Sequence, residues 1–452
     1  MRRRQALKWL GGGTLALAGG VAGRYLLLPP PPSATLQSVD QLAVQLVNSM
    51  DVETRSLACV EYDHPLRQYH NRGVNGGGVA ARSLTWEQRG LVTDLLYAGL
   101  SGVGRDRIPD EFFLKWPGVQ LTNVLVCGNP SQPPYQLVLT GPHLNLRLGG
   151  QSREAVAFGG PQVYGDQRGN GRPGLPGNLY RYQFETAQRL FVSLPRSQQQ
   201  LALLPSAPIQ TQIELQGTAG VFAGISVATL APDHRAMVRT LIDAMVSTYP
   251  PDDVAYAWQC LDNNGGVDNL SLAYYQDGEV DNSGQYQIFR LEGPAAVFYF
   301  RGAPHVHAFI NVAMNGDVPL SVGELLGQNP VVRTGEAVKR LFERALCAHT
   351  GCDHAFYPAD SVVGRLPAGP IRAGDIYTLE SWQERIVIGE IRGSDLRASL
   401  GFKPERSRIY AIATTRYGAS QLGQLLVTRK SGTLLRDATV AYLRTHDLTS
   451  AA

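Results

Sequence analysis

The chain has 452 residues, and its 41 Lys and Arg against 38 Asp and Glu give a formal net charge of +3. Five basic residues lie within the first 24 positions; subtracting them from +3 leaves −2, which excludes the strongly basic surface that nucleic-acid binding requires. Beyond the N-terminal segment no apolar run approaches the roughly 20 residues of a membrane span, and the length suggests two or three folding units.

Residues 1–32 are predicted to be an export segment rather than part of the fold. Arg3-Arg4-Gln5-Ala6-Leu7-Lys8 resembles a twin-arginine signal and is followed by a glycine-rich apolar stretch and four prolines. The twin-arginine pathway carries proteins that have already folded, often around a cofactor. We therefore expect a periplasmic or extracellular protein, with tethering by an uncleaved N-terminal anchor as the alternative.

The region after this segment is predicted to contain both helices and strands. Thr85-Trp86-Glu87-Gln88 has the pattern of a capping box at the start of a helix. Because the predicted elements do not alternate regularly, the region is predicted to be an α+β domain spanning 36–318. Apolar periodicity and turn residues predict helices over 37–50, 182–194 and 233–247, strands over 57–62, 120–127, 135–148, 271–275, 286–291 and 296–300, and a long loop over 159–177.

One of these strands alternates strictly between apolar and polar residues. After Pro142 three leucines fall on one face, and His143, Asn145 and Arg147 fall on the other. If the leucine face packs on the core, the opposite face displays a polar row that contains a histidine.

A second histidine motif, His305-Val306-His307, follows a strand-like apolar run. In an extended chain His305 and His307 point to the same face, and two neutral imidazoles bind a metal ion when a third ligand converges on it. We predict that His143, His305 and His307 hold one divalent ion, zinc in preference to copper, with a coordination position open for water. Arg147 is predicted to orient an anionic substrate. The alternative is that the histidines are ordinary structural residues.

The stretch from about Arg55 to Asp317 resembles a bacterial family known as domain of unknown function 3500. Pro142 stands where the family usually has the first histidine of a pair, so one histidine corresponds there. The resemblance implies the domain and the positions of the histidines, but no reaction. Its motifs are Leu137-Val138-Leu139-Thr140-Gly141-Pro142-His143-Leu144, Leu291-Glu292-Gly293-Pro294 followed by His305-Val306-His307, and Phe158-Gly159-Gly160-Pro161 followed by Gly174-Leu175-Pro176.

A second domain is predicted over 334–446, beginning with a helix over 336–349. Through its motifs at 366–377, 385–396 and 408–414 it resembles a shortened C-terminal domain of bacterial 5′-nucleotidases. The aromatic ligand-binding motif of that family corresponds to Ser381-Trp382-Gln383-Glu384, which implies that Trp382 contacts a ligand. Val363 stands where the family has an arginine, and the metal-binding motifs of the hydrolytic domain do not occur in the sequence. Nucleotide hydrolysis is therefore not expected.

Two of the five cysteines lie close together in sequence. Cys347 and Cys352 are predicted to form a local disulfide in an oxidising compartment. The alternative is a metal site built from these two cysteines with His349 and His354, although it would crowd four ligands into one turn.

The sequence thus favours an exported metal-dependent hydrolase that acts on a small or polymer-derived substrate. The alternative, of a different class, is a non-enzymatic periplasmic ligand-binding or scaffold protein with structural histidines. The two hypotheses differ in one observable feature, because a metal centre requires the three histidines to converge.

Overall fold

The computed structural model describes residues 32–68, 77–107, 122–141, 143–149, 155–169, 174–208, 214–316, 322–397 and 403–448. Nearly all of the predicted export segment lies outside these residues. Within them, no helix combines the length and the apolar character needed to cross a membrane.

The predicted α+β class is confirmed. The helices are α1 (Val39–Ser49), α2 (Val52–Ala58), α3 (Trp86–Ala98), α4 (Arg181–Ser193), α5 (Arg196–Ala202), α6 (Pro232–Val246), α7 (Pro251–Asn263), α8 (Gly335–Thr350), α9 (Ala373–Leu379), α10 (Arg416–Leu422) and α11 (Leu435–Leu443).

Short and long strands form several sheets. In the first region they are β1 (Cys59–Val60), β2 (Val79–Ala80), β3 (Asn123–Asn129), β4 (Gln132–Gly141), β5 (Leu144–Leu148), β6 (Gln162–Asp166), β7 (Leu203–Leu204), β8 (Ile225–Ser226), β9 (Ser271–Tyr275), β10 (Ile288–Gly293), β11 (Ala296–Arg301) and β12 (Val306–Val312). Beyond these are β13 (Leu325–Asn329), β14 (Arg333–Thr334), β15 (His354–Ala355), β16 (Arg365–Leu366), β17 (Gly369–Arg372), β18 (Arg385–Arg392), β19 (Ile409–Thr415) and β20 (Leu426–Leu434).

The strands of the first region build one large sheet that is mostly antiparallel. Its order is β1-β3-β4-β5-β6-β12-β11-β10-β9-β7, with β2 beside β3 and β8 beside β9. Parallel pairing occurs between β1 and β3 and between β7 and β9. This order places β5 and β12, which are far apart in sequence, on either side of β6.

Helices cover one face of this sheet. The main hydrophobic core forms between the sheet and α1, α3, α4, α6 and α7. Val306 and Ala308 of β12 belong to this core, so strand alternation places His307 and Phe309 on the opposite face. That face carries a smaller apolar cluster of its own, in which Phe309 packs with Tyr299.

Residues 326–448 pack around a separate hydrophobic core. Here α8 and α11 pack together beside a four-stranded sheet of order β15-β19-β18-β20. The two regions touch where α9 contacts the 3₁₀ turn Pro65–Gln68. Next to this turn, the His64 ring lies edge-on to Tyr377, with 6.4 Å between ring centroids.

The capping box predicted for α3 is confirmed. The Thr85 hydroxyl accepts the backbone N–H of Gln88, and the Gln88 side chain accepts the backbone N–H of Thr85. These bonds satisfy two N–H groups that the first turn of a helix otherwise leaves unpaired.

Three predicted elements are wrong. The segment 135–148 is not one strand but an antiparallel pair, β4 and β5, in which Gly141 lies opposite Leu144. The segment 57–62 is not a continuous strand, because α2 extends to Ala58 and only Cys59–Val60 is extended. Asp51 starts this helix by accepting the backbone N–H of Thr54. The predicted loop 159–177 contains strand β6, which the surrounding glycines and prolines conceal in the sequence.

The polar row on β5 is not displayed to solvent as predicted. The three leucines are buried in the main core, but Asn145 and Arg147 are buried as well, on the opposite face. The predicted disulfide is also absent, since Cys347 and Cys352 both carry free thiols.

Candidate metal centre

Three histidines converge on the face of the large sheet opposite the main core. His143, His305 and His307 each offer a ring nitrogen, and these three atoms lie within 4.8 Å of one another. The Nε2 atoms of His305 and His307 are 3.0 Å apart. Among the residues that the structure describes, no other group of three or more His, Cys, Asp or Glu side chains is close enough to hold a metal ion. Cys347, Cys352, His349 and His354 do not form such a group.

The register of three neighbouring strands explains how distant parts of the sequence meet here. Leu144 of β5 lies opposite Tyr164 of β6, which places His143, just before β5, beside Gly165. Gly165 in turn lies opposite His307 of β12. The row across the sheet therefore reads His143, Gly165, His307.

Gly165 leaves room for the two rings on either side of it. A Cβ at this position would lie 3.2 Å from ring carbons of both His143 and His307, and it would overlap the carbonyl oxygen of Val306. The ring centroids of His143 and His307 are consequently only 4.9 Å apart, although a strand separates them.

Burial keeps the three imidazoles neutral. It is the largest cause that lowers the pKa of His143 to about 4 and the pKa of His307 to about 2. The pKa of His305 is lowered as well, again chiefly by burial and then by the charge of Arg301. A neutral imidazole has a free lone pair, which is the form that binds metal. At neutral pH all three rings are therefore competent ligands.

The spacing of one pair of nitrogens is close to that around a tetrahedral ion, and the three ligand atoms lie within 4.8 Å of one another. Two Zn–N bonds at a tetrahedral angle place their nitrogen atoms roughly 3.3 Å apart. The 3.0 Å between the Nε2 atoms of His305 and His307 is close to this value. In addition, the Nδ1 atom of His305 is buried and has no hydrogen-bond partner in the part of the chain that the structure describes. Three imidazoles without a carboxylate form a donor set typical of zinc sites with an open position.

Arg301 stands next in the same row and was not predicted from the sequence. It lies directly opposite His307 in the antiparallel pair of β11 and β12. Its positive charge contributes to the lowered pKa of all three histidines. The turn 302–305 joins the two strands, so a local hairpin prediction would have paired Arg301 with His307.

Asp166, at the end of β6, is a second residue that was not predicted from the sequence. Its carboxylate is fully buried, and its charge opposes the lowering of the pKa of His143 and His305. Both of its oxygens are engaged, because it accepts two hydrogen bonds from the Nε atom of Arg168 and one from the backbone N–H of Leu179. Asp166 therefore fixes the segment that follows β6.

Of the two predicted substrate-binding residues, one is buried in the large sheet and the other lies in the second region. Arg147 is only 4% exposed, and its guanidinium donates to Asn145 Oδ1 at 2.9 Å and to the carbonyl oxygen of Pro161. Trp382 lies between α9 and β18, is 49% exposed, and donates through Nε1 to the carbonyl oxygen of Ser361 at 2.9 Å. Substrate binding by either residue stays a prediction.

Similarity to solved structures is partial. The crystal structure of a 5′-nucleotidase precursor from Thermus thermophilus shares 11% identity at a TM-score of 0.25, covering 39% of this chain and 51% of that chain. The sulfate thiohydrolase SoxB from Thermus thermophilus, in complex with glycerol, shares 12% identity at a TM-score of 0.24, covering 33% and 42%. The chain thus spans about half the length of these proteins or less, and similarity at this level does not establish a common fold. No curated protein matches the sequence.

The family resemblance of the first region is confirmed. Residues 32–317 match the family model described as protein of unknown function (DUF3500). The match contains all three histidines as well as Gly165 and Arg301, and it covers more than half of the 452-residue chain. The chain therefore belongs to this family of proteins of unknown function.

Proposed function

We propose that the protein is an exported metalloenzyme in which His143, His305 and His307 hold one divalent ion, zinc in preference to copper. The observation that carries this proposal is the convergence of three neutral imidazole nitrogens within 4.8 Å. The alternative of structural histidines would rest on the hydrogen bond between the Nε2 atoms of His305 and His307, which leaves the approach of His143 to both rings without a purpose.

Hydrolysis is the reaction class that this donor set supports best. A zinc ion bound by three protein ligands lowers the pKa of a water molecule in its open position towards ~7 and polarises substrate oxygens. The chain's own residues prepare the site for this ion: burial keeps the rings of His143 and His307 unprotonated, and Gly165 lets them approach each other.

The proposed substrate is a small molecule or a fragment of a polymer. Without the N-terminal basic residues the chain carries a formal charge near −2, from +3 minus five, which disfavours nucleic acid as the substrate. Export through the N-terminal twin-arginine pattern would deliver the folded, metal-loaded protein to the periplasm or the exterior.

The first test is the metal content of the full chain. Purified protein is expected to contain about one ion per chain by elemental analysis. His305→Ala or His307→Ala removes one of three ligand bonds, so metal affinity should fall by at least tenfold. His349→Ala is the matched control, since this exposed histidine in the last turn of α8 lies outside the group.

Hydrolysis is then measured on a panel of chromogenic esters, phosphoesters and lactones. Activity should disappear with chelator, return on addition of zinc, and be absent from His307→Ala. A protein that binds no metal, and whose melting temperature is the same with and without chelator, would contradict the metal site. A loaded protein that binds small molecules without turnover would instead support the alternative of a non-enzymatic binding protein.

A further inference from the structure

Arg301 is the charged residue closest in register to the three histidines. Residues directly opposite each other in an antiparallel pair point to the same face, with Cβ atoms about 5 Å apart. Because Arg301 lies opposite His307, its side chain extends over the same face of the sheet as the imidazoles. From this position its charge contributes to the lowered pKa of all three imidazoles.

The guanidinium of Arg301 has no counter-charge among the residues that the structure describes. Its Nε atom is buried without a hydrogen-bond partner, and in the described part of the chain no carboxylate forms an ion pair with it. Burial also lowers the pKa of Arg301 from its ordinary value. A partly buried cation without a counter-charge is costly, and an anionic ligand bound beside Arg301 would offset that cost.

A second arginine on the same face of the sheet has its charge compensated by a carboxylate. Ile288 of β10 lies opposite Arg301, and Arg290 lies two residues further along β10 on the same face. Arg290 forms an ion pair with Glu292 at 2.7 Å. Both side chains of that pair are less than 10% exposed. Asp166, the carboxylate that influences the histidines, already accepts hydrogen bonds from Arg168 and Leu179. Neither acid is available to Arg301.

We propose that Arg301 binds an oxyanion of the substrate, a carboxylate, phosphate or sulfate group, beside the metal ion held by the three histidines. This inference rests on the proposed metal site and specifies the substrate class for it. Three neutral imidazoles leave the full charge of a divalent ion uncompensated, and Arg301 adds a further positive charge on the same face. Arginine suits the role because its planar fork donates two parallel hydrogen bonds to one oxyanion.

The test uses the full chain loaded with cobalt(II), whose visible absorption changes when an anion enters its coordination sphere. Titration with phosphate and with acetate should give saturable spectral changes. In Arg301→Gln the dissociation constant for the anion should rise at least tenfold, while one cobalt ion per chain remains bound. Arg301→Lys keeps the charge without the fork and should show an intermediate affinity. Arg239→Gln, on the exposed surface of α6, is the matched control and should leave the affinity unchanged.

The two proposals fail separately. If cobalt binds but Arg301→Gln and Arg301→Lys bind both anions as tightly as the native chain, the role of Arg301 is overturned and the metal site stands. If no metal binds, the proposed function fails, and Arg301 is tested without metal. In that arm, stabilisation of the chelator-treated protein by phosphate should vanish in Arg301→Gln. Equal stabilisation of both proteins would overturn the anion site as well.

Discussion

At the scale of single residues, Gly165 determines whether the histidines can meet. It occupies the position between His143 and His307 in the row across β5, β6 and β12. Any side chain there would enter the space that the two rings share. The position therefore needs glycine for space rather than for an unusual backbone angle, since Gly165 is absent from the glycines with positive φ.

Gly165→Ala is expected to reduce both metal affinity and stability. The added Cβ would collide with the carbonyl oxygen of Val306 and press on both rings, and a forced shift of this kind typically costs about 1–3 kcal/mol. Elemental analysis and urea unfolding measure the two effects. The control is Gly432→Ala, where a Cβ would meet no atom within 4 Å. Unchanged metal content and stability in Gly165→Ala would show that the rings are not constrained as described.

The histidine site could be predicted from sequence only in part. His305 and His307 share a face because of their local spacing, and the leucine alternation after Pro142 indicated a strand next to His143. Arg301 was missed because the hairpin of β11 and β12, which pairs it with His307, was not predicted. The expectation that Arg147 faces a substrate assumed that one face of β5 is open to solvent, whereas both faces of this strand are buried.

At the scale of elements, β6 is the strand that was hardest to predict from the sequence. Its five residues, Gln162–Asp166, include a glycine and only two apolar side chains, Val163 and Tyr164, and prolines and glycines flank the strand. Helices such as α1, α3, α4 and α6 were predictable because amphipathic periodicity and caps are local signals. A central strand that is identified only by its partners on both sides has no comparable local signal.

The end of α9 supplies a prediction about pH. Glu380 follows this helix, is fully buried, and has a pKa raised to about 8, chiefly by burial. In the folded protein the Glu380 carboxyl therefore stays protonated at pH values where the same group in the unfolded chain has lost its proton. The free energy of unfolding should fall as pH rises from about 4.5 to 8, with a slope of up to about 1.4 kcal/mol per pH unit.

Glu380→Gln should flatten this part of the pH profile, because glutamine is always neutral and has the same shape. Urea unfolding between pH 5 and pH 8 compares the two proteins. Parallel profiles would mean that Glu380 ionises in the folded state, with Arg436 as the nearby compensating charge.

At the scale of the whole molecule, the three histidines are expected to reduce the free energy of unfolding as pH falls. Their pKa values are below the ordinary value of 6.5 in the folded state, so the unfolded chain takes up protons first as pH falls. In chelator, the contribution of the histidines to the free energy of unfolding should be constant above about pH 6.5 and should decrease from there towards pH 4, opposite in direction to the contribution of Glu380.

The triple variant His143→Gln, His305→Gln and His307→Gln should lose most of this acid-side decrease. Unfolding by urea at pH 7, 6 and 5 measures it, with His349→Gln as the exposed control. If the triple variant and the native chain lose stability equally between pH 7 and pH 5, the histidines are already protonated in the folded protein.

The two regions of the molecule differ in how much their sequences revealed. The first belongs to a family, and its histidines converge as predicted. The second has its own hydrophobic core, and its first helix was predicted from periodicity. The contact of α9 with the turn Pro65–Gln68 could not be predicted, because no periodic pattern specifies how one core packs against another.

The burial of Cys127 within β3 gives the molecule its own chemical reporter. Its thiol is inaccessible, and burial raises its pKa to about 12, so the reactive thiolate hardly forms while the sheet is closed. An alkylating reagent can therefore modify Cys127 only when β3 separates from its neighbours. Mass spectrometry can follow the rate of that modification, with the partly exposed Cys347 and Cys352 as reference thiols in the same chain. The ratio of the rates measures how often the sheet opens in an unmutated protein.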